Sequence, residues 1–124
     1  MTDLCLSWTD VEILVEKLAY QIKRWDEKPD VIYGISRGGL VPAVILSNIL
    51  DIPMTSDYTV DEDYLIVDDI VDTGVTIEDY MSLDNAKVCS LLVNVRNCGV
   101  FPHLYAEQTH ELNIFPWDRD IKGL

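Results

Sequence analysis

One segment of the 124-residue sequence, residues 64–76, constrains the fold more than any other. It begins with four apolar residues, continues with the adjacent carboxylates Asp68 and Asp69, and passes through Asp72 into a Thr-Gly-Val-Thr run. A continuous apolar run is typical of a buried parallel strand, and a Thr-Gly run is typical of a turn into a helix. The segment therefore predicts two carboxylates at the carboxyl edge of a parallel sheet, where open α/β sheets bind ligands.

The hydroxyl-rich run beyond the carboxylates suits a phosphate group. Backbone N–H groups and hydroxyls at the start of a helix bind anions readily. Carboxylates and a phosphate cradle only a few residues apart fit a ligand with free sugar hydroxyls at one end and a phosphate at the other. A mere surface turn is a poor alternative, because carboxylates that end an apolar strand would then have no partner to offset their burial.

The rest of the sequence predicts alternating helices and strands. A capping box from Thr9 to Glu12 and apolar residues at helical spacing indicate a helix over 10–25. A second helix is predicted after Gly39. The predicted strands are 31–35, a segment near 54–57, 64–67, 87–95 and 103–106, with a short helix at 77–82 and a closing segment at 111–124. This alternation predicts an α/β fold, a small parallel twisted sheet flanked by helices, in one domain over residues 1–124.

Composition narrows the class of partner and the compartment. Twenty-two acidic and nine basic residues give a net charge of −13, which disfavours nucleic-acid binding because phosphate contacts rely on Lys and Arg. No segment approaches the ~20 apolar residues of a membrane span, and the start of the chain lacks the pattern of a signal peptide. Three cysteines without metal-like spacing are typical of free thiols in a reducing compartment. We therefore expect a cytoplasmic protein.

Two segments carry a resemblance to a known family. Residues 64–76 resemble the phosphoribosyl-pyrophosphate (PRPP) signature of the type I phosphoribosyltransferases. Residues 31–43, which contain a Ser-Arg-Gly-Gly-Leu-Val-Pro phrase, resemble their pyrophosphate loop. That phrase and the Pro-Trp-Asp at 116–118 are similar to the bacterial xanthine-guanine phosphoribosyltransferases. The resemblance covers most of residues 7–119.

The resemblance implies a role for each matching residue. Asp68 and Asp69 would hold the ribose hydroxyls, Asp69 also through Mg²⁺, and Asp118 would contact metal or diphosphate. Asp72 would be the general acid/base at the purine ring nitrogen. The implied 5′-phosphate residues are Thr73, Gly74, Val75 and Thr76. The implied diphosphate residues are Ser36, Arg37, Gly38 and Gly39.

The sequence also departs from the family pattern. Only a short segment, 58–63, stands where relatives carry a long mobile flap that closes over the reacting centre. Arg96 is the nearest equivalent of the Lys that reads the exocyclic oxygen of the purine. Leu112 occupies the position of the aromatic residue that stacks on the purine, and Asn113 is its neighbour. The PRPP half of the site therefore matches the family better than the purine half.

Two functions remain open on the sequence alone. The favoured prediction is purine salvage, with transfer of ribose 5-phosphate from PRPP to guanine, xanthine or hypoxanthine and release of diphosphate, by a homo-oligomer (dimer or tetramer). The alternative is a PRPP- or nucleotide-binding regulatory module with little or no catalysis. Retention of Asp72 favours the enzyme, whereas the short flap and the missing aromatic favour the module.

Overall fold

The computed structural model describes residues 3–57, 59 and 61–118. Its strands are β1 (Asp3–Cys5), β2 (Val31–Gly34), β3 (Tyr64–Val71), β4 (Ala86–Asn94), β5 (Leu104–Thr109) and β6 (Leu112–Ile114). Its helices are α1 (Trp8–Lys23), α2 (Leu40–Leu50) and α3 (Glu78–Met81), followed by a 3₁₀ turn, Pro116–Asp118.

The main sheet has the strand order β2-β3-β4-β5, and every pair in it is parallel. An isolated parallel bridge from Ile32 to Met54 extends it beyond β2. Strands β1 and β6 form a second, two-stranded parallel sheet, with Asp3 opposite Leu112. The predicted α/β class with a parallel sheet flanked by helices is confirmed.

Helices cover both faces of the main sheet, so the central strands are apolar on both sides. Helices α1 and α2 share one core with alternate residues of the strands, among them Leu65 and Val67 of β3. The intervening Tyr64 and Ile66 belong to a second core on the opposite face, which includes Ile77 beside α3. This double burial explains why residues 64–67 show no alternation of polar and apolar side chains.

Several predicted boundaries are wrong for identifiable reasons. Helix α1 begins at Trp8 because Ser7 is its N-cap. Ser7 Oγ accepts from the Asp10 N–H at 3.1 Å, and Asp10 Oδ2 accepts from the Ser7 N–H at 2.8 Å. The predicted strand at 54–57 is only the bridge at Met54. Residues 111–118 contain a strand and a 3₁₀ turn where an irregular closing segment was predicted.

Helix α2 is unusual in this acidic chain, because it contains no charged residue. It packs Ala43 and Leu46 into the core, yet it also exposes Leu40, Val44 and Ile49 to solvent. A helix that is apolar all round is normally buried. No helix in the described part of the chain is long and apolar enough to cross a membrane.

Candidate active site

The chain leaves the adjacent strands β2 and β3 in opposite directions. After β2 it passes through α2 to the bridge at Met54, on the outer side of β2, whereas after β3 it continues to β4 on the other side. Pairing of β2 with β3 ends at Gly34 and Val67, but β3 continues beside β4 as far as Val71. Such a switch point is where open α/β sheets bind ligands.

The loop after β2 packs closely on the extended end of β3. The Ile35 N–H donates to Val67 O at 2.9 Å, and the Gly39 N–H donates to Ile35 O at 2.9 Å. A Cβ on Gly39 would overlap Val67 O, and a Cβ on Gly38 would overlap the carboxylate of Asp69. Glycine at both positions therefore lets the loop lie against β3 without displacing its backbone or the carboxylate of Asp69.

Asp68 and Asp69 lie inside β3, not after its end as predicted, because β4 continues to pair with this part of the strand. They are nevertheless beyond the last residue of β2: the Asp69 side chain faces the loop at Gly38, whereas Asp68 lines a cavity with Asp72. The Asp69 N–H donates to Asp68 Oδ1 at 2.9 Å, and the Ile70 N–H donates to Asp69 Oδ1 at 2.8 Å. Burial, with the hydrogen bond and charge of Asp69, raises the pKa of Asp68 to about 7.

Several of the predicted site residues line one cavity of about 90 Å³. It is lined by Asp68, Ile70, Val71, Asp72, Thr73, Gly74, Thr76 and Ile77. Gly74 has φ 95°, a conformation that favours glycine, and a Cβ there would overlap Val100 O. The side chain of Val75 is 72% exposed, so it contributes to the turn through its backbone, which donates to Thr73 Oγ1 at 3.3 Å.

The loop after β4 forms a wall beside Asp72. Asn97 Nδ2 donates to Asp72 Oδ1 at 2.9 Å. The Gly99 N–H donates to Thr73 O at 2.9 Å, which holds the loop against the turn at residues 73–76. Arg96 is exposed in the same loop, and its N–H donates to Asn94 Oδ1 at 3.1 Å. Sequence reasoning singled out Arg96 and missed Asn97, although the two are adjacent.

The C-terminal residues reach the site through Trp117. Its indole Nε1–H donates to Asp69 Oδ2 at 3.1 Å. The exposed Asp118 accepts from the Phe115 N–H at 3.0 Å through Oδ2 and so closes the 3₁₀ turn. In the sequence, only the place of Trp117 in the Pro-Trp-Asp phrase pointed to the site.

Of the predicted purine contacts, neither Arg96 nor Asn113 lines this cavity. Leu112 lies in β6, and its side chain is outside the part of the chain that the structure describes. Asn113 is buried, and its side-chain oxygen has no hydrogen-bond partner among the described residues. It lines a separate cavity of about 280 Å³ between α1 and the ends of β4 and β5.

The carboxylates fit Mg²⁺ only as part of a site that substrate completes. Among the described residues, no group of three or more His, Cys, Asp or Glu side chains is close enough to hold a metal. Mg²⁺ is commonly held by one or two carboxylates together with substrate phosphates and water. Asp69, beside the loop at Gly38, offers such a carboxylate.

A larger cavity, of about 420 Å³, lies at the opposite edge of the sheet, where β3 and β4 begin. Its wall mixes cations such as Arg24 and Lys87 with carboxylates such as Asp63 and Asp84. The paired carboxylates, the glycine loop and the hydroxyl-rich turn are all absent from this wall. We therefore place the candidate site at the carboxyl edge, despite the smaller volume there.

Comparisons with known proteins identify the family of the chain. The sequence pattern of the family described as "Phosphoribosyl transferase domain" matches residues 5–64. The xanthine-guanine phosphoribosyltransferase of Idiomarina loihiensis is 28% identical, over 94% of this chain and 87% of the relative. The crystal structure of a purine phosphoribosyltransferase from Pyrococcus horikoshii Ot3 is 30% identical, with a TM-score of 0.83 over 97% of this chain and 96% of that chain. The Helicobacter pylori xanthine-guanine-hypoxanthine phosphoribosyltransferase, 17% identical, shares the fold with a TM-score of 0.84 over 98% and 96%.

Proposed function

Because the chain belongs to the phosphoribosyltransferase family, we propose that it transfers ribose 5-phosphate from PRPP to a 6-oxopurine and releases diphosphate. One observation supports this function above all: at the β2–β3 switch point, the glycine loop lies against the carboxylate of Asp69. Its neighbour Asp68 lines the cavity that Asp72 and the Thr73–Thr76 turn share. Ribose, diphosphate and 5′-phosphate each have a suitable neighbour in this arrangement.

The chemistry requires little covalent participation by the protein. The bond from C1′ to the diphosphate oxygen breaks, and a bond from C1′ to a purine ring nitrogen forms through a transition state with oxocarbenium character. Such a reaction depends on positioning and charge stabilisation. In our proposal Asp68 and Asp69 hold the ribose hydroxyls, and residues 36–39 hold the diphosphate. Asp69, with Asp118 as a further candidate ligand, would hold Mg²⁺, which would neutralise negative charge on the diphosphate leaving group.

We assign the role of proton acceptor to Asp72. In the proposed reaction the ring nitrogen loses its proton to the Asp72 carboxylate as the new bond to C1′ forms. The amide of Asn97 holds one oxygen of that carboxylate at 2.9 Å and leaves the other available. The carboxylate is exposed at the mouth of the cavity, where a base can approach it. Geometry of this kind is the first requirement for a general base.

The loop that carries Arg96 and Asn97 supports the choice of a 6-oxopurine. A guanidinium group has only donors, so it suits a 6-oxo group and does not suit the 6-amino group of adenine. Arg96 is exposed in the loop that contacts Asp72 and Thr73, which supports its assignment to the base.

One observation favours a second function, a regulatory module that binds PRPP or a nucleotide with little turnover. Two described residues of the segment where relatives carry a flap, Thr59 and Glu62, are held at the amino edge of the sheet. The Thr59 N–H donates to Tyr64 Oη at 2.7 Å, and Asn85 Nδ2 donates to Glu62 O at 2.8 Å. Because the cavity is at the opposite edge, these residues do not cover it.

A steady-state assay separates the two functions. We expect turnover of guanine, xanthine or hypoxanthine, and slower turnover of adenine, with PRPP and Mg²⁺ in a spectrophotometric panel. Asp72→Asn should lower turnover by about 10²–10⁴-fold and keep PRPP binding, the range for a positioned proton-transfer group. Asp79→Asn, an exposed carboxylate in α3, is the matched control. PRPP binding without turnover of any base would establish the regulatory module instead.

We further infer a single domain over residues 1–124, a cytoplasmic protein, and a homo-oligomer, either a dimer or a tetramer. The charge-free helix α2, whose exposed face carries Leu40, Val44 and Ile49, supports self-association. Size-exclusion chromatography with light scattering at several protein concentrations tests the oligomer directly.

A further inference from the structure

Trp117 makes a contact that neither the fold nor the proposed roles of the other residues require. Its Nε1–H donates to Asp69 Oδ2 at 3.1 Å, across a separation of 48 residues in the sequence. The other oxygen of Asp69 accepts from the Ile70 N–H at 2.8 Å. Both carboxylate oxygens are therefore held, and the group lies against the loop at Gly38, where a Cβ would displace it.

The indole of Trp117 is itself held in place by aromatic neighbours. It stacks on Phe115 with ring centroids 4.7 Å apart and an interplanar angle of 5°. Trp8, at the start of α1, packs against it at 5.8 Å and 53°. Phe115 is fully buried, and the carboxylate of Asp118 closes the turn through the Phe115 N–H at 3.0 Å. The donor is thus fixed by the core before any ligand binds.

We propose that Trp117 is a positioning residue for phosphoribosyl transfer: its indole N–H holds the Asp69 carboxylate against the diphosphate loop, in the orientation that metal-bound PRPP requires. This inference rests on the proposed function. A hydrogen bond to an ionised carboxylate is stronger than one between neutral groups, and a fixed carboxylate has less conformational freedom to lose on binding. The contact also makes the C-terminal turn part of the site.

Trp117→Phe tests the proposal, because it removes the N–H and keeps a ring to stack on Phe115. Trp8→Phe is the matched control, since it changes the same aromatic cluster without touching Asp69. We expect calorimetry to show that Trp117→Phe weakens PRPP binding in the presence of Mg²⁺ by about tenfold, the effect of one charge-assisted hydrogen bond. PRPP binding without Mg²⁺ should change less than twofold, and Trp8→Phe should change neither.

A double-mutant cycle distinguishes positioning from general packing. Because the effect acts through the Asp69 carboxylate, Trp117→Phe should have no further effect on PRPP affinity in an Asp69→Asn background. A loss that persists in that background would overturn the proposal, as would equal Mg²⁺-dependent affinities for Trp117→Phe and Trp8→Phe. Failure of the wild-type chain to bind PRPP at all would overturn the proposed function together with this inference.

A measurement on the wild-type side chain removes dependence on how the Trp117 variants fold. The indole N–H of Trp117 should exchange with solvent more slowly than that of the exposed Trp8 in ¹⁵N-resolved NMR spectra. Its resonance should shift when PRPP and Mg²⁺ are added, and its protection should fall in Asp69→Ala, which removes the acceptor. Unchanged protection in Asp69→Ala would overturn the proposal.

Discussion

At the scale of single residues, the buried carboxylate of Asp68 lowers the stability of the ligand-free fold. Its side chain is only 8% exposed, and the neighbouring carboxylate of Asp69 adds negative charge. Removing a carboxylate from water is costly unless a cation or donors replace the lost hydration. A hydrogen bond from a ribose hydroxyl would offset part of this cost. We therefore expect the Asp68 carboxylate to be better accommodated with ligand bound than without it.

The raised pKa of Asp68 gives the first prediction. The pKa in the folded chain is about 7, above the ordinary value of 3.8, so the protonated form favours folding. This contribution to stability is fully present below pH 3.8 and is lost as the pH rises through about 7. Asp68→Asn should therefore exceed the wild type in free energy of unfolding by about 1–3 kcal/mol at pH 8, and by less as the pH falls towards 4. Urea unfolding across this range measures the difference, with Asp79→Asn as the exposed control. A constant difference at all pH values would contradict the prediction.

The second prediction concerns Gly38 and Gly39, the two glycines in the loop after β2. A Cβ on Gly39 meets only backbone, namely Val67 O and, at 2.7 Å, Ile35 O. Gly39→Ala should therefore strain the fold and lower the free energy of unfolding by about 1–3 kcal/mol. A Cβ on Gly38 meets the side chain of Asp69, which can rotate away.

Gly38→Ala should accordingly leave urea unfolding nearly unchanged and weaken PRPP binding with Mg²⁺ by about tenfold or more, because the displaced carboxylate loses its orientation. The pair thus separates a structural glycine from one that leaves room for a functional group. If both variants lose stability equally, Asp69 does not yield as the geometry implies.

At the scale of secondary-structure elements, the segment between Met54 and β3 differs from the closing flap that relatives carry at this position. Its described residues, 55–57, 59 and 61–63, include contacts to Tyr64 and Asn85 at the amino edge of the sheet. Active-site closure normally excludes water and prevents hydrolysis of activated substrates. Because the described contacts of this segment are at the amino edge, we expect either that another part of the chain excludes water or that some PRPP is hydrolysed.

The third prediction follows from that segment. PRPP and Mg²⁺ without any purine should yield ribose 5-phosphate and diphosphate, detectable with a coupled diphosphate assay. Because water attack does not require removal of a proton from a purine nitrogen, Asp72→Asn should reduce this hydrolysis far less than the about 10²–10⁴-fold loss expected for transfer. A chain that transfers rapidly and shows no hydrolysis would mean that the site is covered in another way.

The elements also show why the sequence predicted some parts of the site and missed others. The apolar run at 64–67 and the glycine loop after β2 were readable, because burial and turn geometry act locally. The extension of β3 to Val71 depends on the length of β4, which the sequence of β3 does not contain. The contacts of Asn97 with Asp72 and of Trp117 with Asp69 join distant segments, and no local pattern encodes them.

For the whole molecule, charge limits where two copies of the chain could meet. A net charge of −13 repels a second copy over most of the surface, and salt screens this repulsion over roughly 10 Å at moderate ionic strength. Helix α2 has no charged residue and exposes Leu40, Val44 and Ile49. Met54, which is also partly exposed, lines a cavity with Leu40 and Tyr33 beside this helix. An uncharged, apolar face is where self-association is least opposed.

The last prediction tests this face. Val44→Asp places a charge at its centre, and a buried unpaired charge costs several kcal/mol, so the dissociation constant of the oligomer should rise by about 100-fold or more. Tyr20→Asp, at an exposed aromatic of α1, is the matched control and should leave association unchanged. Sedimentation velocity over a range of protein concentrations measures both, and added salt should tighten wild-type association by screening the acidic surfaces. Association of Val44→Asp equal to that of the wild type, or dissociation caused by Tyr20→Asp, would place the contact elsewhere. Because α2 follows the diphosphate loop directly, a monomeric Val44→Asp with altered PRPP affinity would also show that the loop depends on the partner copy.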